Sequence, residues 1–337
     1  MQVPKMSMKN IRLSIKSAIE QSLNYADPRL LHSRGIMGMN QRNVAYVARY
    51  NDRRCYPNVD NKLKTKELAL EDGIAVPALI DTVIYQHDVN FVFETLDKHP
   101  SFCIKPANGS GGKGILVIVD TDQDGYRKAS GEHVSKDYVI RHLSNTLAGL
   151  FSLGGVTDFA IIEELIEFDP IFEGLSHEGV PDIRIIVFKG YPVMAMARLA
   201  THASDGKANL HQGAVGVGID IKTGFACAAV QHNQPITHHP DTQRSLENLS
   251  IGGWPDLLKL ASSCYEMSGL GYLGVDLVLD KNRGPLVLEL NARPGLSIQI
   301  ANKRGLLPRL QQIESLQHRR PRTVEERINY VLNEFND

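Results

Sequence analysis

Between residues 182 and 291 the chain carries two pairs of long apolar runs, each pair joined by a very short turn. The first reads DIRIIVF, then KG, then YPVMAMARLA; the second reads YLGVDLVLD, then KNRG, then PLVLELN. A two-residue connection ending in glycine suits the twist of an antiparallel hairpin, so Lys189-Gly190 predicts a reversal rather than a crossover. The same reasoning places KNRG between two antiparallel strands. Side chains alternate across a strand, so Glu289 and Asn291 share one face while Leu288 and Leu290 take the other. An unpaired buried carboxylate is costly, so a positive group must stand over this strand. Asp276, in the middle of LGVDLVL, poses the same problem thirteen residues earlier. The hairpin would bring it close to Glu289 and Asn291. Arg293 and Arg283 are candidate salt-bridge partners close in sequence.

The rest of the chain is mixed. NKLKTKELALEDG has Leu63, Leu68 and Leu70 among charges and predicts a helix from Asn61 that Gly73 ends. IAVPALI predicts a short strand, and SFCIKPANGSGGKGILVIVD predicts strand, glycine loop, strand. Residues 121–150 are polar, with one helix near DYVIRHLSNTLAGLF; DFAIIEELI predicts a strand, and 167–181 a loop. PDLLKLASSCYEMSGL predicts a helix, and Thr323 with Glu326 matches a capping box that opens a last one. Residues 11–19 have helical spacing, and SRGIMGMNQRN after them reads as loop.

Composition narrows the class. The 337 residues hold 37 basic and 38 acidic side chains, which leaves no electrostatic footprint for nucleic acid or an anionic membrane. Cys55, Cys103, Cys227 and Cys264 are scattered without a C-x-x-C pair, which fits a reducing, cytoplasmic setting and argues against a thiolate zinc site. The first twenty residues have no continuous apolar core of a signal peptide, and no apolar run reaches the roughly 20 residues a membrane helix needs. His232, His238 and His239 fall in a polar stretch that reads as a solvated loop rather than a metal site.

The loop Gly109, Ser110, Gly111, Gly112, Lys113, Gly114 matches G-x-G-x-x-G by spacing. A dinucleotide fingerprint requires a helix next, whereas ILVIV follows here. A glycine loop between two strands is either an ordinary hairpin or a flap whose backbone N–H groups close over phosphates. Lys105, four residues upstream, favours the flap. Asp276, Glu289 and Asn291 together offer oxygen donors of the kind Mg²⁺ takes beside phosphates, with a buried salt bridge as the alternative.

In this order, NKLKTKELALEDGIAVP, CIKPANGSGGKGI, IIEELI, DIRIIVF, ANLHQGA, GVDLVL and LVLELNARPGL resemble the ATP-grasp ligases, and within them the RimK-type α-L-glutamate ligases, over about residues 60–302. The resemblance implies an α+β, ATP-grasp fold: two α/β lobes gripping ATP between antiparallel sheets, after a short, mostly helical N-terminal segment. The expected divisions are 1–56, an N-lobe 57–162, a C-lobe 163–302 and a helical tail 303–337. It implies ATP phosphates on Lys62 and Lys105 under the Gly109–Gly114 loop, and adenine at a hinge formed by Glu164 and Leu165. Asp182, Lys207 and Asn209 match further nucleotide positions, with Lys207 standing where relatives have arginine. Asp276, Glu289 and Asn291 match the ligands of two Mg²⁺ ions, with Mn²⁺ as an alternative. Arg198 would steady an acyl phosphate, His211 would line the site, and Arg293 would act on the substrate. The implied chemistry is ATP-dependent ligation of a small-molecule or peptide carboxylate to an amine, with glutamate the first guess and no role for nucleic acid or membrane insertion. A homo-oligomer is compatible with it. A kinase and a non-catalytic nucleotide-binding module remain alternatives.

The resemblance implies a full domain ahead of the first ATP-binding lysine, and the roughly 60 residues before Lys62 are too few for it; Arg293 stands where the glutamate ligases have a smaller residue. The cluster Arg34, Arg42, Arg49, Arg53 and Arg54 is either an acidic-substrate surface or a set of solvated and structural ion pairs.

Overall fold

The computed structural model describes residues 26–109, 111–122, 125–176, 179–316 and 322–335. The helical expectation over residues 11–19 and the loop residue Ser110 lie outside them.

Two antiparallel sheets organise the chain. The first contains β1 (Leu79–Val83), β2 (Phe102–Pro106), β3 (Leu116–Asp122), β4 (Gly125–Lys128), β5 (His133–Val134) and β6 (Ala160–Glu163), in the order β1-β6-β2-β3-β4-β5. Its core gathers Phe93, Leu96, Phe102, Ile104, Ile118, Leu143 and Ile162 beneath the helix Lys136–Leu147. The second sheet contains β7 (Asp182–Phe188), β8 (Tyr191–Leu199), β9 (Val215–Ile219), β10 (Ala226–Gln231), β11 (Gln234–Ile236), β12 (Tyr272–Asp280) and β13 (Gly284–Asn291), in the order β11-β10-β9-β8-β7-β12-β13. The strands β7, β8 and β12 are buried almost throughout, as continuous apolar runs require. The helix Trp254–Ser268 packs on this sheet, and the helix Val324–Glu334 packs against both it and β8.

Both predicted hairpins form. β7 turns into β8 through Lys189 and Gly190, at φ 50° and 81°, the left-handed pair a tight antiparallel turn demands. β12 pairs with β13 so that Asp276 stands opposite Glu289 and Gly274 opposite Asn291. The register shifts between Asp276 and Leu277, leaving Leu288 as an extra residue on β13. Bulges of this kind re-aim the side chains beside them.

The helix Lys62–Glu71 begins on Asn61, whose side chain accepts from Leu63 and Lys64 N–H, and Gly73 follows it at φ 67°. The capping box of Thr323 and Glu326 is present in full. Other expectations shift. Residues 74–78 are not a strand; β1 starts at Leu79, because Pro77 cannot donate to a ladder and its carbonyl is taken by Lys66. β6 covers only four residues of DFAIIEELI. Residues 121–150 hold β4 and β5 besides the expected helix. SRGIMGMNQRN is not all loop: Pro28–Ser33 is helical, and from Met39 the chain is helical through Tyr50, with a π-helical stretch Arg42–Val47. That segment docks on the second sheet. Asn51 accepts from Tyr272 N at 2.8 Å and donates to the Tyr272 and Ala292 carbonyls at 2.7 and 3.0 Å. Tyr46 and Tyr50 pack edge-on against Phe188. The three histidines do not form one solvated loop either, since His239 is fully buried and bonds the Ala200 carbonyl at 3.2 Å. Among the described residues no helix is long and apolar enough to cross a membrane.

Candidate functional site

The helix Lys62–Glu71 places two lysines one turn apart on one face, directed where the two sheets meet. Lys62 Nζ donates to the Gly109 carbonyl at 2.7 Å and lies 3.2 Å from Glu289 Oε1. One turn later Lys66 is buried, 2.8 Å from Glu163 Oε1. Lys105 on β2 donates to Glu163 Oε2 at 2.6 Å. One carboxylate is therefore shared by two ammonium groups. Burial lowers the Lys66 pKa. Burial works against charge at Lys105 too, but Glu163, with Cys103 and Glu289, outweighs it and holds Lys105 above the usual lysine value. Burial would raise Glu163; the two lysines overcome it and hold the acid below the usual range.

A second charged group lies on the face of β7, β8 and β12. Arg184 grips both oxygens of Asp276 at 2.6 and 2.5 Å, and Arg198 reaches Asp276 at 2.7 Å. Arg198 also holds both oxygens of Asp182. The strand register makes this unavoidable, because Asp276 stands opposite Arg184, and Asp182 opposite Arg198. Burial pushes Asp182 up to about 6, only partly offset by Arg198 and reinforced by the Asp276 charge. Asp276 goes the other way, since two guanidiniums overcome its burial. The positive partners of these acids are thus Arg184 and Arg198 for Asp276, and Lys62 for Glu289. Neither Arg293 nor Arg283 fills that place.

The glycine loop joins β2 to β3, with its first glycine held by Lys62. Its two stems are tied down: Asp158 accepts from Asn108 N and Nδ2 and from Ser152 Oγ, while His142 Nε2 donates to the Gly114 carbonyl at 3.0 Å. Between them Gly111 and Gly112 take φ 64° and 74° in open space. Gly114, at φ 75°, lies so close to Phe151 that an added Cβ would come within 2.4 Å of its ring.

At the hinge, Arg283 donates to Glu164 Oε2 at 2.8 Å, to the Leu165 carbonyl at 3.4 Å and to Asp280 Oδ2 at 2.8 Å. Asp280 also accepts from Glu167 N–H, fixing the segment after β6 onto the end of β12. Away from the lysines, Lys207 pairs with Asp205 at 3.0 Å on the surface, and Asn209 Oδ1 accepts from His211 N at 3.0 Å. His211 Nε2 lies 3.4 Å from Ser297 Oγ. Arg293 lays its guanidinium over the Tyr56 ring at 4.9 Å, and its amide donates to Asn291 Oδ1 at 2.9 Å.

The oxygen set suits a hard divalent cation. Glu289 is 40% exposed at its side chain, so it can accept a further partner. Among the described residues no three His, Cys, Asp or Glu side chains converge, so a cation here would rely on Asn291 and on substrate oxygens to complete its shell.

The family comparison decides the class. A model of the sugar-transfer associated ATP-grasp family matches residues 41–315, most of the chain. The chain belongs to that family. As an ATP-grasp protein it has the α+β, two-sheet architecture that the sequence motifs implied. It is similar to a probable α-L-glutamate ligase of Maridesulfovibrio salexigens, 23% identical over 239 residues that make up 70% of this chain. The chain spans 56% of the length of that curated relative. Among solved structures it is similar to the ATP-grasp ligase PsnB complexed with precursor peptide PsnA2 and AMPPNP, at TM-score 0.44 and 14% identity, covering 83% of this chain and 62% of that one. A D-alanine–D-alanine ligase from Bacillus anthracis complexed with ATP gives TM-score 0.45 and 14% identity, covering 89% and 75%.

Sequence reasoning missed Lys66, Glu163, Arg184, Asp158 and His142 in this ATP-grasp site, and offered Arg283 as a partner of Asp276 or Glu289 rather than of Glu164 and Asp280. Three had a local signal: Lys66 follows Lys62 by one helical turn, Arg184 shares a strand face with Asp182, and Glu163 adjoins Glu164. Arg283, Asp158 and His142 act through contacts distant in sequence.

Proposed function

We propose that this ATP-grasp protein is an ATP-dependent carboxylate–amine ligase working through an acyl phosphate. The observation carrying this reading is the meeting of Lys62, Glu289 and the glycine loop at one point, with Lys105 and Glu163 directly behind. In this reading residues 57–162 and 163–302 act as the two gripping lobes. Lys62 and Lys105 hold the ATP phosphates, and the Gly109–Gly114 loop, Ser110 and Lys113 included, covers them. The base lies at the hinge of Glu164 and Leu165, with Lys207 and Asn209 on the phosphate side and Asp182 acting through Arg198.

The carboxylate of the first substrate attacks the γ-phosphorus; a P–O bond forms, the bond to the β-phosphate oxygen breaks, and ADP leaves. An amine then attacks the acyl carbon, forming C–N as C–O breaks and phosphate departs. Such reactions need positioning and charge neutralisation more than covalent help. Arg198 and Arg184, already held rigid by two acids, would donate to the acyl phosphate oxygens without reorganising. Mg²⁺, two ions in the family pattern, would be held by Glu289 and Asn291, and by Asp276 once Arg184 or Arg198 releases one of its oxygens, and would supply charge neutralisation at the phosphates.

The relative's name makes glutamate the first compound to try. The family description adds sugar-linked acids and amines to the panel. ADP release measured across carboxylates with and without amines tests the proposal. Sustained release only with both, and an amide product by mass spectrometry, supports it. Release without amine would make the protein a kinase, and ATP binding with no release under any pair would make it a binding module.

A further inference from the structure

The short helical turn Pro57–Asp60 packs against β13. Its closing bond runs from Asp60 N–H to the Tyr56 carbonyl at 2.8 Å, so the side chains of Tyr56 and Asp60, four residues apart, stand on one side. Arg293, two residues beyond Asn291, stacks on that same Tyr56 ring. Asp60 and Arg293 therefore flank one spot at the end of the strand that carries Glu289 and Asn291.

The two charges sense each other. Both side chains are exposed; partial desolvation raises the Asp60 pKa, and the fields of Arg293 and Lys62 partly counter it. Yet they form no ion pair within 4.0 Å, and neither side chain hydrogen-bonds to any described residue. Opposite charges held near each other without closing leave room for a ligand carrying both signs. The guanidinium is also restrained: its Cζ sits 4.9 Å from the centroid of the Tyr56 ring, and its planar donors form a fork suited to a carboxylate. The neighbouring arginines are otherwise engaged. Arg42 donates to the Pro294 carbonyl at 2.9 Å, Arg49 reaches Glu314 at 3.4 Å, and Arg54 pairs with Asp52 at 2.5 Å.

We propose that Asp60 and Arg293 form the site of the amine substrate, and that this substrate is a free α-amino acid, its ammonium on Asp60 and its carboxylate on Arg293. The assignment rests on the ligase reading and deepens it. Asp60 takes one proton from the ammonium and passes it to water. The freed nitrogen lone pair attacks the acyl phosphate carbon, the C–N bond forms, and the C–O bond breaks with its electrons leaving on phosphate; the nitrogen then loses a second proton, which the departing phosphate takes up as hydrogen phosphate. Each turnover releases one net proton alongside ADP and phosphate. The turn Pro57–Asp60 thereby supplies half of the acceptor site.

Binding and turnover are measured separately. The twenty common amino acids, then the best binder and its α-amide, are titrated calorimetrically into the full chain saturated with a non-hydrolysable ATP analogue and Mg²⁺. The expected result is binding of at least one free amino acid, weakened about tenfold or more when its carboxylate is an amide. Arg293→Gln should remove that preference, Arg293→Lys should restore part of it, and Asp60→Asn should weaken both ligands together. Equal binding of acid and amide, an unchanged preference in Arg293→Gln, or no binding by any amino acid overturns the proposal. Binding as expected with no ADP release from any carboxylate panel would instead overturn the ligase reading and leave the site standing.

Discussion

Lys62 Nζ stands 3.2 Å from Glu289 Oε1, joining the start of the helix Lys62–Glu71 to the last strand of the second sheet. The same ammonium holds the Gly109 carbonyl, so one side chain ties the metal-type acid to the stem of the glycine loop. This point is where turnover should be most sensitive.

Replacing Glu289 by Gln keeps its size and removes its charge. ADP release should fall about a hundredfold or more, because charge neutralisation at the phosphates is lost. The pair with Lys62 is partly exposed, at 20% and 40% of its two side chains, so stability should change by less than about 1 kcal/mol. Steady-state rates together with urea unfolding separate the two effects.

Glu163 is shared by Lys66 and Lys105, which gives two distinguishable outcomes. Glu163→Gln leaves two buried ammonium groups without their acid and should destabilise the protein by about 3 kcal/mol or more. Lys66→Met leaves the whole carboxylate charge on Lys105, drawing that lysine away from phosphate. The KM for ATP should then rise more than kcat falls. Equal effects on both constants would speak against this division.

The hinge clamp sets a pH dependence. Burial alone would raise the Asp280 pKa, but Arg283 and three backbone amides bring it down to about 2. A carboxylate depressed in the folded state contributes stability that is present above its ordinary pKa, near 4, and is lost as pH falls through about 2. Stability should therefore decline between those values. Asp280→Asn should be less stable at pH 7 and show a flatter decline, as followed by thermal unfolding across that range.

Gly112 and Gly114 share a left-handed backbone but not their surroundings. Gly112→Ala incurs only the backbone penalty, about 1 kcal/mol. Gly114→Ala adds a collision with Phe151 and should cost at least about 2 kcal/mol, with a higher KM for ATP as the loop is displaced. Comparable losses in both variants would mean that the Phe151 contact does not position the loop.

The sequence alone determined the two hairpins, the helix caps at Asn61 and Thr323, the glycine loop between strands, and the shared face of Glu289 and Asn291. These follow from period-two alternation, short turns and i to i+3 capping, which neighbouring residues encode. It did not determine which charges meet. Arg293 and Arg283 were the near candidates for the buried acids, but the register of β7, β8 and β12 gives Asp276 to Arg184 and Arg198, while the pairing of β2 with β6 gives Glu163 to Lys105 and the helix Lys62–Glu71 brings Lys66 to the same acid. Arg293 was thereby left to Tyr56 and Arg283 to the hinge. Ion-pair partners depend on contacts between strands far apart in the chain and on which side chains lose water together. Local spacing carries neither, so only the tertiary structure decided them.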